Sequence, residues 1–408
     1  MSRIDDQIAK LAPQGVKQAT LGAVGEFIRG NGLQKSDLAS EGFPAIHYGQ
    51  IHTTYGIWTK TTRSFTDPEK ALRLRRAKPG DLLIATTSED DTAVAKATAW
   101  VGSGEVALSG DAYIFRHTLD PKFVAYLFQS TQFNDQKQRF ITGTKVRRIS
   151  GDSLAKVRIP VPPLEIQREI VRILDQFTEL EAELEAELEA RRRQYEHYRR
   201  EILANSWLGS NQLALGELGR IVTGRTPRSS EESAWGTAVD FVTPSDVRNG
   251  MRVVQRPARR LSDAGAAALS KAMVPAGSIL VTCIGADMGK TVVNGNDCVT
   301  NQQINSITLR PEFDAGYIFH VLTLMRDQIR RQGERAGGTM PIINKSDFSK
   351  IEIHVPALTV QRVVASKLDN FDALVNDLSA GLPAELRARR KQYEYYRDKL
   401  LTFKELPA

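Results

Sequence analysis

The stretch from Pro162 to Trp207 constrains this chain more than any other, because it is written twice. The first copy opens Val161, Pro162, Pro163, Leu164, continues through Gln167, Arg168, Leu174, Asp175, Gln176 and Phe177, and closes as RRRQYEHYRR over Arg191 to Arg200. The second reads Val355, Pro356, Ala357, Leu358, Gln361, Arg362, Leu368, Asp369, Asn370, Phe371 and closes as RRKQYEYYRD over Arg389 to Asp398. In the first copy Ile170, Ile173, Phe177, Leu180 and Leu184 follow 4-3-4 spacing, resumed by Tyr195, Tyr198 and Ile202. In the second Val364, Leu368, Phe371, Leu378, Leu386, Tyr393, Tyr396 and Leu400 do the same, interrupted at Gly381 and Pro383. Such spacing is the apolar seam of a coiled coil. The offset grows from 194 residues at Phe177/Phe371 to 198 at Tyr195/Tyr393, a stutter that a coiled coil absorbs by local unwinding. Two helices with one apolar stripe each pair most simply with each other; an ordinary pair of packed helices is the alternative.

The repeat extends beyond the helices. Leu21, Gly22, Val24 and Gly25 match Leu215, Gly216, Leu218 and Gly219; the turn Pro79, Gly80, Asp81 before Leu82 to Ile84 matches Pro275 to Val281. Tyr126, Leu127, Phe128 are matched with Tyr317, Ile318, Phe319 in a helix, Gly143 and Thr144 with Gly338 and Thr339, and Ile149 to Lys156 with Ile343 to Lys350. The expected organisation is an N-terminal globule over 1–160, a helix over 161–207, a second globule over 208–355 and a second helix over 356–408. Each globule is mixed α/β. Between landmarks the halves diverge: His47 to Trp58 and Arg248 to Arg260 have no counterparts. Divergent surfaces on a shared scaffold suit two modules reading different things, although drift after duplication leaves the same pattern.

A chain of 408 residues accommodates two to four domains. No apolar run approaches the ~20 residues of a membrane span, and MSRIDDQIAK is no signal peptide, so no membrane role and a cytoplasmic location are expected. Cys283 and Cys298 with no neighbouring His make no structural zinc site. Residues 1–163 hold 22 bases and 16 acids and residues 207–357 hold 17 and 14, whereas the first helix, 164–206, holds 7 and 11. Basic globules suit a polyanionic partner.

The order globule, helix, globule, helix, with its repeated P-(P/A)-L-x-x-Q-R entry and RR(R/K)QYExYR exit, resembles the DNA specificity subunit of a type I restriction-modification system over essentially the whole chain. The resemblance implies two target recognition domains separated by helices that pair antiparallel and hold the modification subunits. It implies binding to double-stranded DNA at a split, asymmetric site, one half-site per globule, and a chain without catalysis or cofactor of its own. S-adenosylmethionine, ATP and Mg are then expected in two methyltransferase subunits and in restriction/translocase subunits. A helix of about 40 residues is roughly 60 Å long, so the pair would serve as a ruler for the unread spacer.

Candidate DNA contacts lie in loops unsuited to a core. Arg139, Lys145, Arg147 and Arg148 surround Gly143 and Thr144, and Arg330, Arg331, Arg335, Thr339 and Lys345 form the counterpart. Thr86, Thr87 and Ser88 follow a strand in the first half; Arg225, Thr226 and Arg228 follow one in the second. Gln302 and Gln303 could bond adenine edges or bridge a loop. Arg and Lys in such loops contact phosphate by default. The tyrosines Tyr195, Tyr198, Tyr393 and Tyr396, beside arginines, either dock a partner or close the seam.

Enzymatic readings are weaker. Gly285, Gly289, Lys290 and Thr291 approach a phosphate-binding P-loop but are one residue short, and Val292, Val293, Asn294, Gly295 do not open a helix. Lys290 is retained as a phosphate contact. Pro162-Pro163 lacks the Asn or Asp and aromatic of a methyltransferase motif, and no G-x-S-x-G elbow occurs. The rivals to a DNA-binding subunit are a protein-docking coiled-coil scaffold, which salt-dependent DNA binding would exclude, and an enzyme with an unrecognised methyltransferase or ATPase site, which cofactor binding would favour.

Overall fold

The computed structural model describes residues 2–228, 231–285, 287–335, 340–376 and 381–407. Two compact units are formed, one from residues 1–182 with 388–408 and the other from 183–387. The first unit is thus assembled from both ends of the chain.

In the first unit a five-stranded sheet runs in the order Gly25–Arg29, Ala112–His117, Leu82–Ala85, Lys96–Trp100, Trp58–Thr59. Its last pairing is parallel and the others antiparallel. Leu82–Ala85 is a continuous apolar run because it is covered on both faces. A four-stranded sheet, Ser64–Thr66, Phe43–Ile46, Val106–Leu108, Arg76–Ala77, lies in the same unit. The second unit repeats the five-stranded order with Gly219–Thr223, Ile304–Leu309, Ile279–Thr282, Thr291–Asn294 and Val253–Val254, again with the last pairing parallel. Its other sheet has three strands, Arg259–Leu261, Trp235–Val242 and Cys298–Thr300. A mixed α/β globule therefore occurs twice, with the accessory sheet as the divergent part.

The helix Leu164–Ser206 starts after Pro162 and Pro163 and continues through 43 residues rich in Glu, Leu, Ala and Arg, all strong helix formers. Glu187 and Arg191, and Glu189 and Arg193, form i,i+4 pairs along it. The second copy comprises Leu358–Asn376 and Gly381–Leu400. Within the first unit Phe177 lies against Tyr393 and Tyr396 while Glu181 pairs with Arg390, so numbers rise on one helix as they fall on the other and the pair is antiparallel. In the second unit Tyr198 stacks on Phe371, and Glu187 shares a cavity wall with Leu382 and Glu385, giving the same sense.

The buried face differs from the expected seam. Ile170, Tyr195, Val364, Leu368, Leu386 and Leu400 are buried as expected, but Leu174, Leu188 and Leu203 replace Ile173, Leu180 and Ile202 as the deepest side chains; Leu378 lies outside the described residues. The reason is that Leu174 packs in the globule's core with Phe123 and Tyr126, so the helix serves two neighbours with a stripe wider than a coiled-coil seam.

The repeated Gln of each helix entry has a structural task. Gln167 is buried, accepts from the Asp120 amide at 2.8 Å and donates to the Pro162 carbonyl at 2.8 Å; Gln361 accepts from Asp314 at 2.8 Å and donates to Pro356 at 2.8 Å. Asp120 and Asp314 cap the helices Pro121–Leu127 and Ala315–Leu324. Those caps correct the matching of Tyr126 with Tyr317: Tyr126 corresponds to His320, one helical turn on. Tyr126 donates to Asp175 at 2.8 Å, and His320 Nε2 lies 2.8 Å from the equivalent Asp369.

Candidate nucleic-acid interface

In the first unit the threonine group and the basic loop come together. Thr87–Ser88 pairs antiparallel with Arg147–Arg148, and the Ile149 amide donates to the Thr86 carbonyl at 3.1 Å. Thr142 and Arg148 exchange backbone hydrogen bonds at 2.9 and 2.8 Å, closing the loop that carries Gly143 and Thr144. Gly143 takes φ of +94°, where an added Cβ would stand 2.1 Å from the Val146 carbonyl oxygen, so the turn requires glycine. Arg147 is spent on the Asp91 carboxylate at 2.8 Å and the Gly143 carbonyl at 2.6 Å. Arg139, Lys145 and Arg148 are exposed.

Thr86 and Thr87 are not the surface donors expected of them. Both are buried: the Thr86 hydroxyl bonds the Asp111 carbonyl at 3.1 Å, and the Thr87 carbonyl meets His52 Nε2 at 2.9 Å. Burial lowers the pKa of His52, so that ring is neutral and gives its proton to the carbonyl. Ser88 is half-buried and accepts from the Asp90 amide.

The second unit repeats this edge with other side chains. The Cys283 amide donates to the Gln303 carbonyl at 2.7 Å, as Thr86 does to Asp111 at 3.1 Å, and the Ile343 amide donates to the Cys283 carbonyl at 2.9 Å, as Ile149 does to Thr86. Ile284 bridges antiparallel to Ile342 where the first unit pairs Ser88 and Thr87 with Arg147 and Arg148. Burial pushes the Cys283 thiol up to about 12, which makes it an inert packing group.

Beside this edge the loop after Gly219–Thr223 approaches residues 301–303. Gly224 permits it, since a Cβ there would stand 2.2 Å from the carbonyl oxygens of Thr300 and Asn301. Thr226 consequently donates to Gln302 Oε1 at 2.7 Å, with Arg225 and Arg228 exposed alongside. Gln303 is held by Asn301, whose Nδ2 donates to its Oε1 at 2.9 Å. Arg225, Thr226, Arg228 and Gln302 thus form one cluster. Arg335 ends the helix Arg326–Glu334 and Lys345 begins Lys345–Ser349, both exposed; Thr339 lies outside the described residues. Arg330 pairs with Glu334. Lys290 is committed inside its unit, paired with Asp287 at 2.8 Å and donating to the Val247 carbonyl at 3.2 Å.

The tyrosines divide. Tyr195 is buried, donates to the Leu368 carbonyl at 3.2 Å, stacks on Phe371 and lies under the Arg199 guanidinium; it closes the helix pair rather than facing a partner. Tyr393 donates to Gln129 at 3.2 Å, with burial pushing its pKa up to about 12, and Tyr396 stacks on Phe177. Tyr198 keeps an exposed face. Tyr395, more exposed than any of the four, was not singled out by the sequence pattern because it lies off the seam.

Among the described residues no group of three or more His, Cys, Asp or Glu could hold a metal ion, and no helix is long and apolar enough to cross a membrane.

Residues 13–190 and 209–388 each match a family model described as the type I restriction modification DNA specificity domain. A type I restriction enzyme specificity subunit of Escherichia coli is 32% identical over 280 residues, covering 66% of this chain and 69% of the relative. A putative type I restriction enzyme specificity subunit of Haemophilus influenzae is 29% identical over 281 residues, covering 65% and 68%. Among solved structures, a chain from a type I restriction-modification system shares the fold with TM-score 0.57 at 19% identity, covering 95% of this chain and 98% of that one. The S subunit of such a system from M. genitalium gives TM-score 0.52 at 13% identity, covering 95% and 96%.

Proposed function

Because this chain belongs to the type I restriction-modification DNA specificity family, whose specificity subunits are non-catalytic, we propose that it chooses the DNA target for partner enzymes. Each globule reads one half of a bipartite, asymmetric sequence in double-stranded DNA, and the helices set the unread spacer. Two methyltransferase subunits, carrying S-adenosylmethionine, and restriction/translocase subunits, using ATP and Mg, then act where the chain directs them. The observation that carries this reading is the duplicated loop edge: one backbone frame presents Arg147 and Arg148 in the first unit and Ile342 in the second. A common frame with different side chains is what reading two unlike half-sites requires, since phosphate contacts position a protein and base-edge contacts specify it.

Methylation mapping of DNA from a cell carrying this chain and its methyltransferase partner tests the reading. A split asymmetric motif is expected. Exchanging residues 21–158 for the equivalent globule of a relative should change one half-motif only, and inserting one helical turn after Glu185 should alter the spacer alone. Absent methylation, or a motif that changes as a whole, overturns the proposal in favour of a protein-docking scaffold.

A further inference from the structure

The Gly285 to Thr291 segment leads into the strand Thr291–Asn294, and three of its amides are spent internally: Met288 on the Gly285 carbonyl, Gly289 on Thr282 and Lys290 on the Thr282 hydroxyl. It is no P-loop, because a strand follows it where a helix N-terminus would hold phosphate, and these three N–H groups are taken. Its end nevertheless forms one wall of a cavity of about 430 Å³ inside the second unit. Arg192, Arg199 and Arg200 of the long helix line that cavity together with Arg248, Lys290 and Arg326.

Acidic groups answer only part of this charge. Asp372 accepts from Arg199 at 3.1 Å, and Asp287 pairs with Lys290 at 2.8 Å. Besides Asp372, Glu196 and Asp327 are the carboxylates in the lining, and Asp287 lies outside it. Among the described residues Arg192, Arg200 and Arg248 have no ion-pair partner, and Arg326 bonds the neutral Asn249 at 2.8 Å. Arg199 is 7% exposed and its Nε has no hydrogen-bond partner. Burying a guanidinium with an unmet donor costs free energy unless an acceptor arrives. The volume lies in the range of roughly 300–1,000 Å³ common for ligand sites.

We propose that this cavity binds a phosphate-class oxyanion. Guanidinium groups suit that ligand because their forked donors match tetrahedral oxyanions bidentately. The oxyanion comes either from a free polyphosphate or from a DNA backbone phosphate presented at the mouth, and the two sources can be separated without assuming that the chain reads DNA.

The test titrates the whole chain calorimetrically with sodium tripolyphosphate and, separately, with duplex DNA, at two salt concentrations. The variant is Arg192→Gln/Arg200→Gln, both exposed and therefore tolerated by the fold; Arg193→Gln, exposed on the same helix and outside the cavity lining, is the control. Tripolyphosphate binding that falls at least tenfold in the double variant and is unchanged in the control establishes a free-phosphate site. If tripolyphosphate does not bind, but the double variant weakens DNA binding and lowers its salt slope by about one per lost contact, the source is the DNA backbone. Tripolyphosphate and DNA titrations both indifferent to the double variant overturn the proposal. Tripolyphosphate binding by a chain that ignores DNA would retain this site and sink the target-reading function.

Discussion

At the scale of single residues, the Leu-Asp pair repeated at 174–175 and 368–369 was legible, but what each aspartate meets was not. Asp175 takes Lys122 at 2.7 Å and Tyr126 at 2.8 Å, whereas Asp369 takes Arg252 and His320. Matching tyrosine to tyrosine put the helices one turn out of step; the aspartate caps set the true correspondence. The exchange of Tyr126 for His320 makes the second unit sensitive to acid. Burial holds the His320 pKa below its ordinary value, against the opposing pull of the Asp369 carboxylate; Arg199 and Asp372 also act on it. An unfolded histidine binds its proton near pH 6.5 and the folded one only at lower pH. The stability of this site is therefore fully present above about pH 6.5 and declines as pH falls below it. Hydrogen exchange in Ala315–Leu324 should accelerate between pH 7.5 and 5.5, after correction for intrinsic rates. In His320→Gln, which keeps a donor for Asp369 and does not titrate, the acceleration should disappear; its persistence would place the sensitivity elsewhere.

At the scale of elements, the long helices were the plainest signal, because the same entry, apolar spacing and Arg-Tyr exit are written in both copies. Their buried face was read less well, since periodicity cannot tell that the first half of Leu164–Ser206 also packs on a globule. The same limit applies to the tyrosines: letters alone do not tell that Tyr195 is buried while Tyr395, which stands where the first copy has His197, is 63% exposed. Truncating a buried aromatic costs about 3–5 kcal/mol and a solvated surface side chain about 0.5 kcal/mol or less. Tyr195→Ala should accordingly lower the urea midpoint of the second unit strongly, and Tyr395→Ala should leave that of the first unit nearly unchanged. Equal effects would mean that Tyr395 is covered. The basic loop before each helix was legible by composition, but the burial of Thr86 and Thr87 was not, because a threonine followed by serine and acids reads as a turn until its pairing with Arg147 and Arg148 is seen.

At the scale of the whole molecule, the duplication was legible and the division into units was not. Sequence similarity cuts the chain at helix boundaries, whereas packing takes residues 388–408 into the first unit, with Leu400 and Leu401 in its core. The Val16 amide donates to the Lys404 carbonyl at 2.8 Å and the Leu406 amide to Val16 at 3.0 Å, tying residues nearly four hundred positions apart. A chain cut after Arg387 should lose protease resistance in residues 1–182 while residues 183–387 keep it; equal resistance in both would show that the tail contributes nothing. The same feature reverses the usual order of events on the ribosome. The globule made first must wait with part of its core exposed until residues 388–408 emerge, while the globule made second can close before it. The arrival of residues 388–408, rather than of the globule's own contiguous stretch, is then the step that completes the older half of the protein.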